Sequence, residues 1–281
     1  MDKSIKVYEP DNSIRRGFFP VFGEIFKEIV ANRWLTYQLF KRDFSALYKQ
    51  SFMGVIWVFV IPLFSVMTFV ALNRSGIFRI GEVPAPYPVY AVLGISFWQL
   101  FSGGIVGSAN SLVEAGQMIK IINFSKKSLV IAATGRAMIA FLIQMAIAAF
   151  LCLVYRFVPH IEALWIPICL IPLLLLTWGI GFFLSLLNAV MRDVGSALSV
   201  LMTFLMFLTP VLYAKPESGL LAKISAYNPV YHLVSSLRDL ALVGKILDPN
   251  GFFFSALFAF LIFLVSLVVF HLTEARITER V

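Results

Sequence analysis

The sequence predicts an all-α membrane protein: six transmembrane helices, an N-terminal amphipathic interfacial helix, and short re-entrant outer helices between the fifth and sixth spans. Three observations carry that prediction. Of 281 residues, 60% are hydrophobic and only 14% are charged, with a mean hydropathy of +0.88. Ordinary soluble domains carry about 25% charged residues, so that class is excluded. The apolar residues also gather into runs of roughly 20, the length a helix needs to cross a hydrocarbon layer in which no water can satisfy its backbone. Finally, the segment 214–251 is too long for a plain turn and too apolar for a solvated loop.

The six runs are 52–72, 88–113, 132–155, 164–190, 194–213 and 252–272. Only MRDVG, residues 191–195, separates the fourth from the fifth, which fits the polar turn of an antiparallel hairpin. With the N-terminus inside, 16 of the 23 Lys and Arg residues fall in cytoplasmic segments and 7 in outer ones. Positive charge collects on the cytoplasmic side of membrane proteins, so both termini are expected there. The same distribution explains the net charge of +8 without nucleic acid, because no soluble basic face gathers these residues. Residues 1–29 read as a cytoplasmic N-terminal tail and 30–281 as a single membrane domain. No short apolar core precedes a small-residue cleavage site, so no signal peptide is expected.

Within 214–251, Leu220, Leu221 and Ile224 recur at helical spacing, as do Tyr231, Val234, Leu237 and Leu240, and Asn228-Pro229 parts the two stretches. They read either as helices dipping into the outer leaflet or as helices packed on the outer surface of the bundle.

Enzyme chemistry is hard to find in the chain. It has no GxxxxGK[ST] phosphate loop; Gly244-Lys245 has Asp239 where the earlier glycine would stand. ATP and its Mg must therefore be held by another chain, and no cofactor is expected in this one. His160, His232 and His271 are scattered, so no metal site is expected, and Cys152 and Cys169 read as small hydrophobes within apolar runs. The middles of the spans carry no ionisable residue, which disfavours ion-coupled transport. Gly103, Gly104, Gly107, Ser108 and Ser111 form a stripe of small residues on the second span, suited either to packing inside one subunit or to a contact that shifts during transport. Aromatic residues such as Phe97, Trp98, Phe101 and Tyr213 serve as core, as interfacial belt, or as flat faces lining a pathway for sugars.

The stretch LFKRDFSALYKQSFMGVIWVFVIPL, residues 39–63, joins a basic helix to the first span with no turn between them. Gln38, Arg42, Ser45 and Lys49 fall on one side of that helix, and Phe40, Phe44 and Leu47 on the other. Anchoring on anionic lipid is one reading, at roughly 1 kcal/mol per basic residue near the surface. The other is mechanical, since moving the helix would move the span. The second cytoplasmic loop, EAGQMIKIINFSKKS at 114–128, offers either a short helix that docks into a soluble motor or a lipid-facing connector.

Three stretches in order, RDFSALYKQSFMGVIWVFVIP at 42–62, NAVMRDVGSALSVLMTFLMFLTPVLY at 188–213 and YNPVYHLVSSLRDLAL at 227–242, resemble the permease subunits of ABC exporters for O-antigen, capsular polysaccharide and teichoic acid. The resemblance covers residues 30–272. It implies a homodimer of six-span subunits bound to two separate ATPase subunits, forming a channel for an undecaprenyl-linked glycan in the plasma membrane of a bacterium. It places Phe40, Arg42, Phe44 and Lys49 on a gate helix where a lipid pyrophosphate headgroup enters. Ile119, Lys120, Phe124, Lys126 and Lys127 would form a coupling helix for the ATPase, and Arg192 and Asp193 the cytoplasmic turn. Tyr227, Asn228 and Pro229 would lie in the re-entrant outer helices and, with Phe97, Trp98, Phe101 and Tyr213, supply channel or outer aromatic surface. Residues before about 29 extend beyond the resemblance and would be a tail or a strap on the ATPase. A permease for a drug, lipid or other small amphiphile is the alternative within this class, and a non-transporting scaffold the alternative outside it.

Overall fold

The computed structural model describes residues 18–49, 56, 57, 60, 63, 64, 67, 68, 70, 71, 75, 81–121, 124–215 and 218–277. Among these the architecture is all-helical, with no strand. In chain order the helices are α1 (Phe18–Ala31), α2 (Arg33–Lys49), α3 (Tyr87–Glu114), α4 (Gly116–Ile121) and α5 (Lys127–Val154). They continue as α6 (Ile166–Cys169), α7 (Ile171–Val190), α8 (Asp193–Leu208), α9 (Leu220–Tyr227), α10 (Pro229–Leu242) and α11 (Pro249–Ile277). The expected first span, 52–72, falls largely outside the described residues.

Among the described residues, four helical stretches are long and apolar enough to cross a membrane: Tyr87–Glu114, Lys127–Val154, Ile161–Val190 and Pro249–Glu274. Each has at least 26 residues, more than the roughly 20 that a hydrocarbon core requires. The span expected over 164–190 is interrupted at both ends of α6. It opens as a tight 3₁₀ turn over Ile161–Trp165, and Pro167 and Pro172 each stand in the first turn of a new helix. Proline has no N–H to give to the preceding turn, so the helix restarts rather than continues.

The fifth span, expected over 194–213, ends early. α8 stops at Leu208 and has 16 residues, about 24 Å at 1.5 Å per residue. Thr209 is extended (φ −102°, ψ 122°), the conformation forced on a residue that precedes proline. From Thr209 to Tyr213 the chain is irregular and buried, as irregular backbone within a membrane domain must be.

α3 lies at the centre, packed on α5 along one side and on α7 along another, while α11 closes against α7. The small-residue stripe explains how these axes come so close. A Cβ on Gly104 would run into Thr177 of α7 and approach Thr134 of α5, and one on Gly107 would stand 3.3 Å from the Ala133 carbonyl. Gly181 of α7 sits against Ser108, whose hydroxyl lies 3.1 Å from that of Thr134. The stripe thus packs inside one subunit. In a lipid environment, such close van der Waals contact and interhelical hydrogen bonds replace the hydrophobic effect as the force holding helices together.

Residues 18–29, expected within a tail, fall in helix α1, which runs on to Ala31. Its Ile25 is buried with Leu39, Leu112, Ile119 and Phe270 in an apolar cluster that joins α1, α2, α3, α4 and α11.

Candidate functional site

The two ends of the bundle carry different chemistry. At the end formed by α1, α2 and α4, Lys127 opens α5 and is only 1% exposed. Its ammonium lies 2.9 Å from Glu28 Oε2 on α1 and 2.5 Å from Glu274 Oε2 near the end of α11. The backbone N–H of Lys126 donates to the other oxygen of Glu274 at 3.3 Å, and His271 Nδ1 stands 4.0 Å from Glu28. A buried ammonium requires this pairing, because an isolated charge in an apolar interior is strongly unfavourable. Burial would raise the Glu28 pKa, but the Lys127 charge and the hydrogen bond from its ammonium outweigh it, so the carboxyl is held below its ordinary range. Burial pushes the Lys126 ammonium down, against the attraction of Glu274. Lys126 and Lys127 were expected on a surface that meets the ATPase; the fold buries both.

The rest of the loop divides between packing and exposure. Ile119 is buried, Phe124 is half-buried, and Lys120 and Ile121 are exposed, Ile121 by 82%. A helix of GQMIKI composition has one apolar side to set against the bundle, and Lys120 and Ile121 are left facing outward.

On α2, Phe40 lies against Gly135 of α5, where any Cβ would collide with its ring. That contact turns the apolar side of the amphipathic helix toward the bundle. Arg42 is exposed, pairs with Asp43 at 2.8 Å, and places Nη1 3.5 Å from Met118 Sδ of α4. Arg42 of α2 and helix α4 are therefore neighbours. The side chains of Phe44 and Lys49 lie outside the described residues.

Arg192 lies in the exposed turn between α7 and α8, and Asp193 is the exposed first residue of α8. The residue that closes this turn is Asn188, which sequence reasoning did not single out. Its Nδ2 donates to the Ala109 carbonyl (3.0 Å) and to Asn110 Oδ1 (2.9 Å), and its Oδ1 accepts from the Gly195 N–H (2.8 Å). An asparagine at the end of an apolar run, just before MRDVG, was the available signal.

At the opposite end, the irregular segment 209–213 is fastened by Arg238 of α10. Its Nη1 donates to the Val211 carbonyl at 2.9 Å, and its guanidinium lies 3.9 Å from the Tyr90 ring centroid. Tyr90 in turn donates to the Tyr213 carbonyl (3.1 Å), and Tyr213 donates to that of Phe207 (2.5 Å). Asn228 caps α10 by accepting from the N–H groups of Val230 and Tyr231, while its amide donates to Thr209 Oγ1 at 2.8 Å. An asparagine cap followed by proline at the first helical position is a strong helix start, which is why α9 and α10 part at Asn228-Pro229.

The expected channel aromatics also separate. Phe97, Trp98 and Phe101 are buried, with Phe97 packed on Phe141 at 5.5 Å and Trp98 on Phe101 at 5.7 Å between ring centroids. Tyr227 is 90% exposed at the end of α9.

With this geometry in hand, the similarities to known proteins are specific. Residues 35–242 match the family described as ABC-2 type transporter. Two proteins of Klebsiella pneumoniae named "O-antigen export system permease protein RfbA" are 26% and 27% identical to the chain, covering 85% of it and 91% of their own length. A Myxococcus xanthus protein of the same name is 22% identical over 80% of this chain and 86% of its own. A family match over well more than half of the chain, on an all-helical framework with four membrane-length helices, means that this protein belongs to the ABC-2 type transporter family.

Proposed function

We propose that the chain is the membrane-spanning permease subunit of an ATP-driven exporter that moves lipid-linked polysaccharide across a bacterial plasma membrane. The observation that carries this reading is the nearly end-to-end similarity to relatives named as O-antigen export permeases. ATP and Mg belong to a separate ATPase subunit, two copies of which bind two copies of this chain. Six spans, counting 52–72 and α8, put both termini in the cytoplasm, in accord with the excess of Lys and Arg on that side. Helices α9 and α10 then lie at the outer face, re-entrant in the outer leaflet.

The roles follow from chemistry already described. Exposed Lys120 and Ile121 on α4 are available to a motor, and Arg42 beside α4 is available to the phosphates of an undecaprenyl-linked glycan, for which a guanidinium supplies paired donors. The buried irregular segment 209–213 stops α8 short of a full span and leaves the aromatic end of α9 exposed toward a glycan path.

The test is a strain lacking this gene. Surface polysaccharide should disappear while lipid-linked glycan accumulates inside, and a copy of this gene should reverse both effects, but not in a strain that also lacks the ATPase gene. Normal surface glycan without internal accumulation in the deletion strain would sink the reading, as would ATP hydrolysis by the purified chain on its own.

A further inference from the structure

Helix α4 is six residues long and is joined to α5 through residues 122–126. Its apolar side holds it to the bundle through Ile119, which shares a buried cluster with Ile25 of α1, Leu39 of α2 and Phe270 of α11. Immediately after the loop comes Lys127, with two of its three ammonium protons directed at Glu28 and Glu274. Those carboxylates stand on the first and last described helices of the chain. Buried pairs of this kind are not easily parted, because removing one partner leaves an uncompensated charge. A movement of α4 that displaces the first turn of α5 must therefore carry α1 and α11 with it or break the pairs.

We infer that Lys127 is a positioning residue that passes displacement of α4 to α1 and α11, an inference resting on the exporter reading above. The contacts around it fit that role. α1 runs into α2 with Asn32 between them, and the Asn32 carbonyl accepts from the Thr36 N–H at 2.9 Å, so the two helices are closely joined. α2 is seated on α5 through Phe40 and Gly135 and meets α4 at the Arg42–Met118 contact. A push on α4 reaches the basic face of α2 by two separate polar routes, one direct and one through Lys127 and Glu28. Glu274 gives the same motion a path into α11, which packs along α7.

The experiment uses the exporter reconstituted with its ATPase subunits in liposomes, reading ATP turnover and glycan translocation on the same sample. The variants are Glu28→Gln, which keeps the Lys127–Glu274 pair, and the triple Lys127→Met, Glu28→Gln, Glu274→Gln, which removes all three charges together. The expected result is normal assembly and ATP turnover within about twofold of the parent, with translocation per ATP reduced about tenfold, within the usual range of coupling between sites. An unchanged ratio of translocation to ATP turnover in Glu28→Gln overturns the inference, whether both rates are normal or both fall together. Failure of Glu28→Gln to assemble also overturns it, since the cluster would then be a purely structural brace. A parent chain that binds no ATPase at all defeats the exporter reading instead, and is recognised before any variant is made.

Discussion

The guanidinium of Arg238 lies 3.9 Å from the centre of the Tyr90 ring while donating 2.9 Å to the Val211 carbonyl. One buried cation thus joins α10, α3 and the irregular segment that ends α8. Replacing Arg238 with Met should lower stability by roughly 2–4 kcal/mol, from the lost cation–ring contact and the orphaned carbonyl. Lysine should recover only part of this, because it lacks the planar fork that stacks and donates at once. Thermal unfolding of the detergent-purified protein measures both.

Gly94 leaves the room into which the Val211 carbonyl fits, and an added Cβ would overlap that oxygen. Backbone rather than a flexible side chain stands in the way. Gly94→Ala should therefore destabilise by roughly 1–3 kcal/mol, as overpacking does. Wild-type melting behaviour in this variant would show that the segment 209–213 can give way.

Asn188 satisfies three groups at once, on α3, on its neighbour Asn110 and at the start of α8. Asn188→Ala should cost about 1–3 kcal/mol for each buried group left unpaired. The hairpin of α7 and α8 should also become more open to protease at 191–195, which limited proteolysis detects.

The cluster around Lys127 predicts a direction for pH. Glu28 is held below its ordinary range, so it releases its proton more readily in the folded state than in the unfolded one. Its contribution is complete above the ordinary glutamate value of about 4.5 and is lost as pH falls through the lower folded value. Stability in an acid titration should fall less steeply below that point in Glu28→Gln than in the parent. Identical acid limbs would remove the pair from the account.

On the exporter reading, replacing both Arg42 and Lys49 with Glu should reduce surface glycan at least about tenfold, since like charge opposes a phosphate-bearing lipid. Membrane insertion and assembly with the ATPase should persist, because Arg42 is half exposed and pairs only with its neighbour Asp43 among carboxylates of the described residues. Quantifying surface polysaccharide against membrane-inserted protein separates the two effects.

By itself the sequence determined the helical membrane class, the apolar runs and the exporter resemblance, because each rests on local signals: run length, periodicity, and punctuation by Pro, Gly and Asn. The break at Asn228-Pro229 and the turn at MRDVG were legible for that reason. Tertiary structure alone decided which charges are buried. Lys126 and Lys127 read locally as a basic surface, and only the arrival of Glu28 and Glu274, about a hundred residues or more away along the chain, makes burial tolerable and lets α5 start at Lys127. The same holds for the stripe from Gly103 to Ser111, whose partners Thr134, Thr177 and Gly181 are fixed by packing. It holds too for Arg238, whose partners on α3 and the 209–213 segment meet it only once the chain has folded back. Pairing across long separations depends on geometry that no local pattern of residues contains.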